Sequence, residues 1–235
     1  MKAAVEGPRM APDRSGPRGV PAGPLEAPGK REIVPRGVAL ADLRPNARLL
    51  DVGCGLGTSV DALRRSLGLR AIGLDLAAPA GVAPPIPRLR ADARLLPIAE
   101  GALDAVLLEC VLSIVLGREA VLRECARALA PGGKLVVSDL YARQRRDGSP
   151  VGLGPCGAEL LSREAMLRLV AASGFDVLHW EDRSRVLKEY LFQHIMQADR
   201  EWPRIGCPVP ADQGAARPDG SRPGYFLLVA GRRRA

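Results

Sequence analysis

The sequence predicts an α/β protein built on an open, mostly parallel, doubly wound sheet with helices on both faces. Three observations carry this expectation. Short apolar runs alternate with amphipathic segments from residue 48 onward. The run Leu49-Leu50 leads into Asp51 and then into three glycines at alternate positions, Gly53, Gly55 and Gly57. Twenty residues after Gly55, a second apolar run ends in Asp75. In a βαβ unit this spacing sets a carboxylate beside the glycine-rich turn, where it can accept from both hydroxyls of a ribose. Residues without Cβ let a ligand lie directly against the backbone. The pattern reads as a nucleoside-binding site.

The elements follow in order. Residues 1–30 are dense in Pro, Gly, Arg and Ala with no hydrophobic period, which predicts a disordered arm. Residues 31–235 are expected to form one domain with an insertion at about 183–223. A short helix over 32–46 leads in, with Leu40 and Leu43 as its apolar contacts. Strand 49–52 is followed by a helix over 58–67, with Val60, Leu63 and Leu67 on one face. Strand 70–74 precedes a Pro-rich loop, and a short strand near 88–90 ends at Asp92. Leu103–Leu108 is mostly apolar, as a strand covered on both faces should be. A helix over 118–129 turns Val121, Leu122, Cys125 and Leu129 inward, and Pro131-Gly132-Gly133 forms a tight turn before a strand over 134–139. Ser162 caps a helix that Gly174 stops, and its buried positions are Met166, Leu167, Leu169 and Val170. Strands over 175–180 and 225–230 complete the sheet.

Composition narrows the function classes. Hydrophobic residues make up 47% of the chain without any apolar run long enough to span a bilayer, so no membrane partner is expected. The five cysteines are odd in number and lack a C-x-x-C pair, which argues against a disulfide framework and a zinc site; no metal is expected. The start of the chain does not read as a signal peptide, and a reducing cytoplasm is the expected location. The net charge of +8 sits mostly in the ends: residues 1–46 carry +3 and residues 203–235 carry +4. Aromatics at 3% are too few for an obvious base-stacking surface, so nucleic acid is not the expected partner.

Four segments in this order resemble one family, the class I S-adenosylmethionine-dependent methyltransferases, nearest to the small-molecule branch that includes the quinone C-methyltransferases. They are Asp51-Val-Gly-Cys-Gly-Leu-Gly, Gly73-Leu-Asp75, Ala91-Asp92-Ala93 followed by Leu96-Pro97, and Leu129-Ala-Pro-Gly-Gly-Lys-Leu. The resemblance covers roughly residues 45–182 and implies a seven-stranded, Rossmann-like sheet with an antiparallel last strand. It also implies S-adenosyl-L-methionine as cofactor and a small-molecule methyl acceptor as partner. By the same resemblance, Gly53, Cys54, Gly55 and Gly57 line the methionine portion and ribose, and Asp51 orients the methionyl ammonium. Asp75 takes the ribose hydroxyls, and Leu76 packs on the adenine. Asp92 accepts from the adenine amine, while the Ala93 N–H reaches a ring nitrogen. Glu109 and Cys110 line the opening toward which the methyl points.

Alternatives stay open at this stage. A nicotinamide dehydrogenase also uses a glycine-rich turn and a later acid, but its fingerprint wants Gly or Ala where Thr58 stands. A non-catalytic cofactor-binding scaffold that meets a partner through its basic ends is a third reading, and a homodimer is compatible with the chain. Methyl transfer needs a general base only when the acceptor enters protonated. Asp139 is the first candidate and Tyr141 the second; Asp139 reads equally well as a turn acid. His194 and His179 are expected to be structural. Residues 143–161 and 183–223 are long connections at the sheet edge where acceptor specificity is expected.

Overall fold

The computed structural model describes residues 27–77, 85–143, 160–197 and 223–234. Along the chain run α1 (Lys30–Leu40), β1 (Arg48–Val52), α2 (Thr58–Leu67), β2 (Arg70–Asp75), β3 (Arg88–Arg90) and β4 (Leu103–Glu109). Then come α3 (Arg118–Ala128), β5 (Leu129–Ala142), α4 (Arg163–Ala172), β6 (Phe175–Asp182), α5 (Ser184–Gln197) and β7 (Pro223–Arg232). One seven-stranded sheet has the order β3-β2-β1-β4-β5-β7-β6. β1 pairs in parallel with β2 and β4, and β7 runs antiparallel to both β5 and β6. The expected architecture is therefore present, including the antiparallel last strand. Strand order reverses between β1 and β4, the place where an open sheet leaves a crevice at its carboxyl edge.

Two apolar layers bury the sheet. On one face α3 and α4 contribute Val121, Leu122, Cys125, Met166 and Val170, packed against Leu50, Val106, Leu135 and Phe226. On the other, α1, α2 and α5 contribute Ile33, Val38, Val60, Leu63 and Val186, packed against Leu49, Leu107, Val136 and Leu227. Alternate residues of each strand serve opposite layers, as the pleat requires. Ser162 caps α4 by accepting from Ala165 N at 3.2 Å, as read from the sequence.

Several boundaries differ from the sequence reading. The leading helix begins at Lys30 rather than 32 and ends at Leu40 rather than 46. Asp42 and Asn46 take left-handed φ values of 51° and 66°, which a continuing helix cannot use. Its buried side chains are Ile33, Val34 and Val38, with Leu40 and Leu43 only bordering the core. β5 begins at Leu129, so Pro131-Gly132-Gly133 lies inside the strand as an irregularity. The pairing jumps from Leu103↔Leu129 to Ala105↔Lys134 there, and Gly132 takes φ 78°. Leu67, expected on the inner face of α2, is 37% exposed at the end of the helix. His179 is exposed on β6, next to a register shift. The expected arm up to residue 26, most of both long connections and the side chain of His194 lie outside the described residues.

α1 sits close to the sheet because of one small residue. A Cβ on Gly37 would stand 2.6 Å from Val136 Cγ1 and 3.2 Å from Leu227 Cδ1. Gly37→Val is expected to lower stability by about 1–3 kcal/mol, because the helix must lift off an already close-packed layer. Urea unfolding checks this; an unchanged midpoint would show that α1 is not seated as described.

Candidate active site

The glycine-rich elbow joins β1 to α2 at the strand-order reversal. Gly53, Gly55 and Gly57 have φ of 74°, 53° and 84°. Side-chain-bearing residues adopt these values at a cost, so three in succession demand glycine. A Cβ on Gly53 would stand 2.6 Å from Val111 Cγ2, whereas one on Gly55 would meet nothing within 4 Å. The elbow is thus tight on its protein side and open at Gly55. Gly53 N and Cys54 N both donate to Leu74 O, at 2.7 and 3.1 Å, which ties the turn to β2. Asp75 holds it from the front: Gly55 N donates to Asp75 Oδ2 at 2.8 Å, and Ala77 N donates to Oδ1 at 3.0 Å.

Asp51 lies behind the elbow. It is 1% exposed, and neither carboxylate oxygen has a hydrogen-bond partner among the described residues. Burial pushes its carboxyl well above the usual carboxylate range, and the negative charge of Glu109 adds to the shift. Lys30, Asp75 and Arg88 act on it more weakly. Glu109, at the end of β4, accepts from Ser59 Oγ at 2.5 Å, and Lys30 Nζ approaches its Oε2 at 3.9 Å. Two acids, a serine from the first turn of α2 and a lysine from the first turn of α1 therefore meet at one sheet edge.

The remaining expected residues divide by environment. Leu76, just past β2, is 66% exposed and offers a bare apolar face beside the elbow. Asp92 follows β3 and is engaged by Arg94, whose Nη2 donates to Oδ2 at 2.6 Å and whose backbone N donates to Oδ1 at 2.9 Å. The guanidinium holds the Asp92 carboxyl down at about 2. Its loop is anchored from α3: Leu96 N donates to Glu124 Oε2 at 2.8 Å, and Arg127 donates to Leu96 O at 3.0 Å and Ile98 O at 2.8 Å. Cys54 is buried, with its thiol pushed up to about 11 by desolvation, and is therefore neutral. Cys110 takes φ 54° and sits 3.3 Å from the Tyr225 hydroxyl, which lies 3.3 Å from Ser138 Oγ. Burial raises both Cys110 and Tyr225, so this is an uncharged network.

The two base candidates are placed otherwise. Asp139 is fully buried, and its oxygens accept from Ser113 N at 3.1 Å and Leu140 N at 2.7 Å. It ties the segment after β4 to β5. Tyr141 is buried and donates from its hydroxyl to Asp182 Oδ2 at 2.8 Å, within an aromatic cluster with Trp180 and Phe226. Neither joins the Asp51–Glu109 group.

Sequence reasoning did not single out Lys30, Ser59, Arg88, Glu124, Arg127 or Tyr225. Arg88 on β3 reaches back to the elbow, donating to Leu56 O at 2.8 Å and also to Gly55 O. These contacts span long stretches of chain and leave no local signal.

Residues 50–137, which include the elbow, Asp75, Asp92 and Glu109, match a family described as a methyltransferase domain. That match covers less than half of the chain. A demethylmenaquinone methyltransferase of Mycolicibacterium vanbaalenii is 37% identical over 100 residues, covering 41% of this chain and 43% of that protein. The chain thus spans less than half the length of that curated relative. Among solved structures, the cyclase SpnF superposes with a TM-score of 0.67 at 23% identity, covering 88% of this chain and 82% of that one. A geranyl diphosphate methyltransferase in complex with S-adenosylmethionine superposes with a TM-score of 0.62 at 18% identity, covering 86% of each chain. The chain has residues that fit that cofactor: a side-chain-free elbow, an unpartnered buried acid behind it and an exposed leucine beside it.

The raised Asp51 carboxyl makes a stability prediction with a definite sign. The folded state holds the proton above the ordinary aspartate value of about 4, so stability falls as pH rises through the window above it. Asp51→Asn is expected to raise the melting temperature of the unliganded protein at neutral and alkaline pH and to flatten this decline. Thermal unfolding between pH 5 and pH 9, as an approximate range, checks it. A variant less stable than the parent at the alkaline end contradicts the unpartnered state of Asp51.

Proposed function

We propose that this protein transfers a methyl group from S-adenosylmethionine to a small-molecule acceptor. The observation that carries the reading is the buried Asp51 carboxyl with no protein partner, set directly behind an elbow whose middle glycine faces open space. A buried polar group left without a partner costs free energy unless a ligand supplies one. The methionyl ammonium supplies it.

Bound at the elbow, the cofactor provides the electrophile, a methyl carbon on a positively charged sulfur. Asp75 already accepts from Gly55 N and keeps acceptor capacity for ribose hydroxyls on its outer side. Leu76 offers its exposed face to the adenine. Asp92 and the Ala93 N–H take the adenine edge, with Glu124 and Arg127 holding their loop in place. Glu109 and Cys110 flank the direction of transfer. The acceptor must approach in line with the carbon–sulfur bond at roughly 3 Å, in a site that excludes water. Asp139 acts as a positioning residue, because both its oxygens are engaged by backbone amides. With Asp139 so committed, the reading favours an acceptor that enters already nucleophilic.

Two further points support a small acceptor. The curated relative is a quinone-precursor enzyme by name, and the sequence lacks the Asn/Asp-Pro-Pro-Tyr/Phe motif of adenine- and glutamine-directed members after β4. The cyclase SpnF shares the sheet, so the sheet alone does not specify methyl transfer. Incubation of a cell extract with cofactor labelled on the methyl group separates the readings. Label in the metabolite fraction is expected; label confined to protein or nucleic acid overturns the acceptor class, and binding without any transfer favours a scaffold.

Asp75→Ala is expected to weaken cofactor binding by about 1–3 kcal/mol, from a lost charge-assisted pair and a loosened Gly55 amide. Titration calorimetry measures this. Unchanged affinity would show that the ribose lies elsewhere.

A further inference from the structure

Asp51 and Glu109 form a pair that the transfer reaction does not by itself require. In the parallel register of β1 and β4, Asp51 stands opposite Leu107, so Glu109 lies two residues further along on the same face of the sheet. Both carboxyls sit beneath the starts of α1 and α2. Glu109 has polar company: Ser59 Oγ at 2.5 Å and the Lys30 ammonium at 3.9 Å. Asp51 has none among the described residues. Other charged or titratable groups face the pair from each neighbouring element. Asp75 lies on β2. Arg88 comes from β3, with its guanidinium already used by the carbonyls of the elbow. The neutral thiols of Cys54 and Cys110 and the neutral Tyr225 hydroxyl complete the surroundings, and Asp139 lies on the opposite face behind Cys110.

Two acids in a poorly solvated site with one close ammonium do not both ionise cheaply, because their mutual repulsion and loss of hydration add. Lys30 and Ser59 favour the charged form of Glu109. Asp51 is left to carry the proton. The ligand changes this balance. Its methionyl ammonium meets Asp51 in substrate and product alike, and its sulfonium, on the side of Glu109, adds a positive charge that the thioether product lacks.

We propose that the Asp51–Glu109 pair exchanges its proton for the positive charge of the sulfonium, with Lys30 setting how tightly that proton is held. This rests on the cofactor reading above. Binding converts the Asp51 carboxylic acid to carboxylate, and the proton passes to solvent. After methyl transfer the sulfonium charge is gone, the pair takes a proton back, and the uncharged product loses the electrostatic hold that kept its precursor. The site thereby prefers substrate cofactor over product, and the preference grows as pH rises through the range in which the free pair gives up its proton. At higher pH, where the free pair has already lost its proton, the sulfonium binds without that cost. Its affinity therefore rises with pH more steeply than the product's.

Calorimetry on the full chain tests this by titrating S-adenosylmethionine and S-adenosylhomocysteine in two buffers of different ionisation enthalpy at one pH near 7. The slope of heat against buffer enthalpy counts protons. Release of more than about half a proton is expected with the sulfonium, and distinctly less with the thioether. Asp51→Asn should abolish the difference. Lys30→Met should shift the rise of sulfonium affinity to higher pH. Equal proton counts for both ligands with binding intact overturn the inference and leave the cofactor reading standing. Absence of binding by either ligand overturns the cofactor reading and this inference with it. A carboxyl-carbon NMR titration of the unliganded protein gives an answer that needs no ligand: Asp51 protonated near pH 7 is expected, and an ionised Asp51 there overturns the proposal.

Discussion

Asp51 ends β1 with a carboxyl group that water does not reach and that no described side chain or amide satisfies, and much of the surrounding arrangement follows from that placement. A group of this kind is expensive to hide. The chain tolerates it because the sheet around it is deeply packed on both faces and the neighbouring charges are nearly balanced. Glu109 and Asp75 are set against Lys30 and Arg88. The cost is concentrated at the point where strand order reverses, which is also where an open sheet has room for a ligand. Instability and binding capacity therefore sit at the same place, a common relation in sites whose polar groups await a partner.

The elements that hold this place are more distributed than the glycine-rich turn alone. The turn is tied to β2 through Leu74 O, fronted by Asp75 and pinned from β3 by Arg88. The next loop along the edge, with Asp92, is secured by Glu124 and Arg127 from α3 on the far face. α1 lies flat on β5 through Gly37 and brings Lys30 to the edge; it is fixed at its outer side by Arg183 to Glu32 at 2.5 Å and Arg36 to Glu181 at 2.8 Å. These exposed pairs contribute little stability individually. Their role is to fix where the first turn of α1 stands. The site is thus assembled from four strand ends and two helix starts, and its chemistry depends on their register more than on any single residue.

The sheet is shared with a cyclase as well as with methyltransferases, so chemistry must be argued from side chains. Those described here leave Asp51 without a partner and commit Asp139 and Tyr141 to contacts within the protein. Asp139 was a reasonable candidate from its position after an apolar strand. In the fold, however, its register turns it inward, where the amides of Ser113 and Leu140 claim it. The same is true of Tyr141, whose hydroxyl is committed to Asp182. A strand's alternation tells which face a residue serves only once the register of its neighbours is known.

The glycine-rich elbow and the acids at its strand ends were legible because their signals are local. An acid at a strand end, glycines at alternate positions and a second acid twenty residues on all reflect backbone geometry within one βαβ unit, and the alternating elements dictated the sheet. Boundaries were less legible where glycine and proline gave conflicting cues: the Pro131–Gly133 segment reads as a turn yet lies within β5, and the Pro-rich start concealed that Lys30 opens a helix. Lys30 meeting Glu109, Tyr225 meeting Cys110 and Arg88 reaching the elbow join residues separated by tens of positions. No periodicity records such meetings. The amino-acid order by itself determined the sheet and the glycine-rich turn, since both arise from short-range sterics and the burial of alternating apolar runs. Tertiary structure decided which charges share a desolvated space and therefore which of two acids carries a proton, because that balance depends on distance and solvent exclusion across the whole sheet edge.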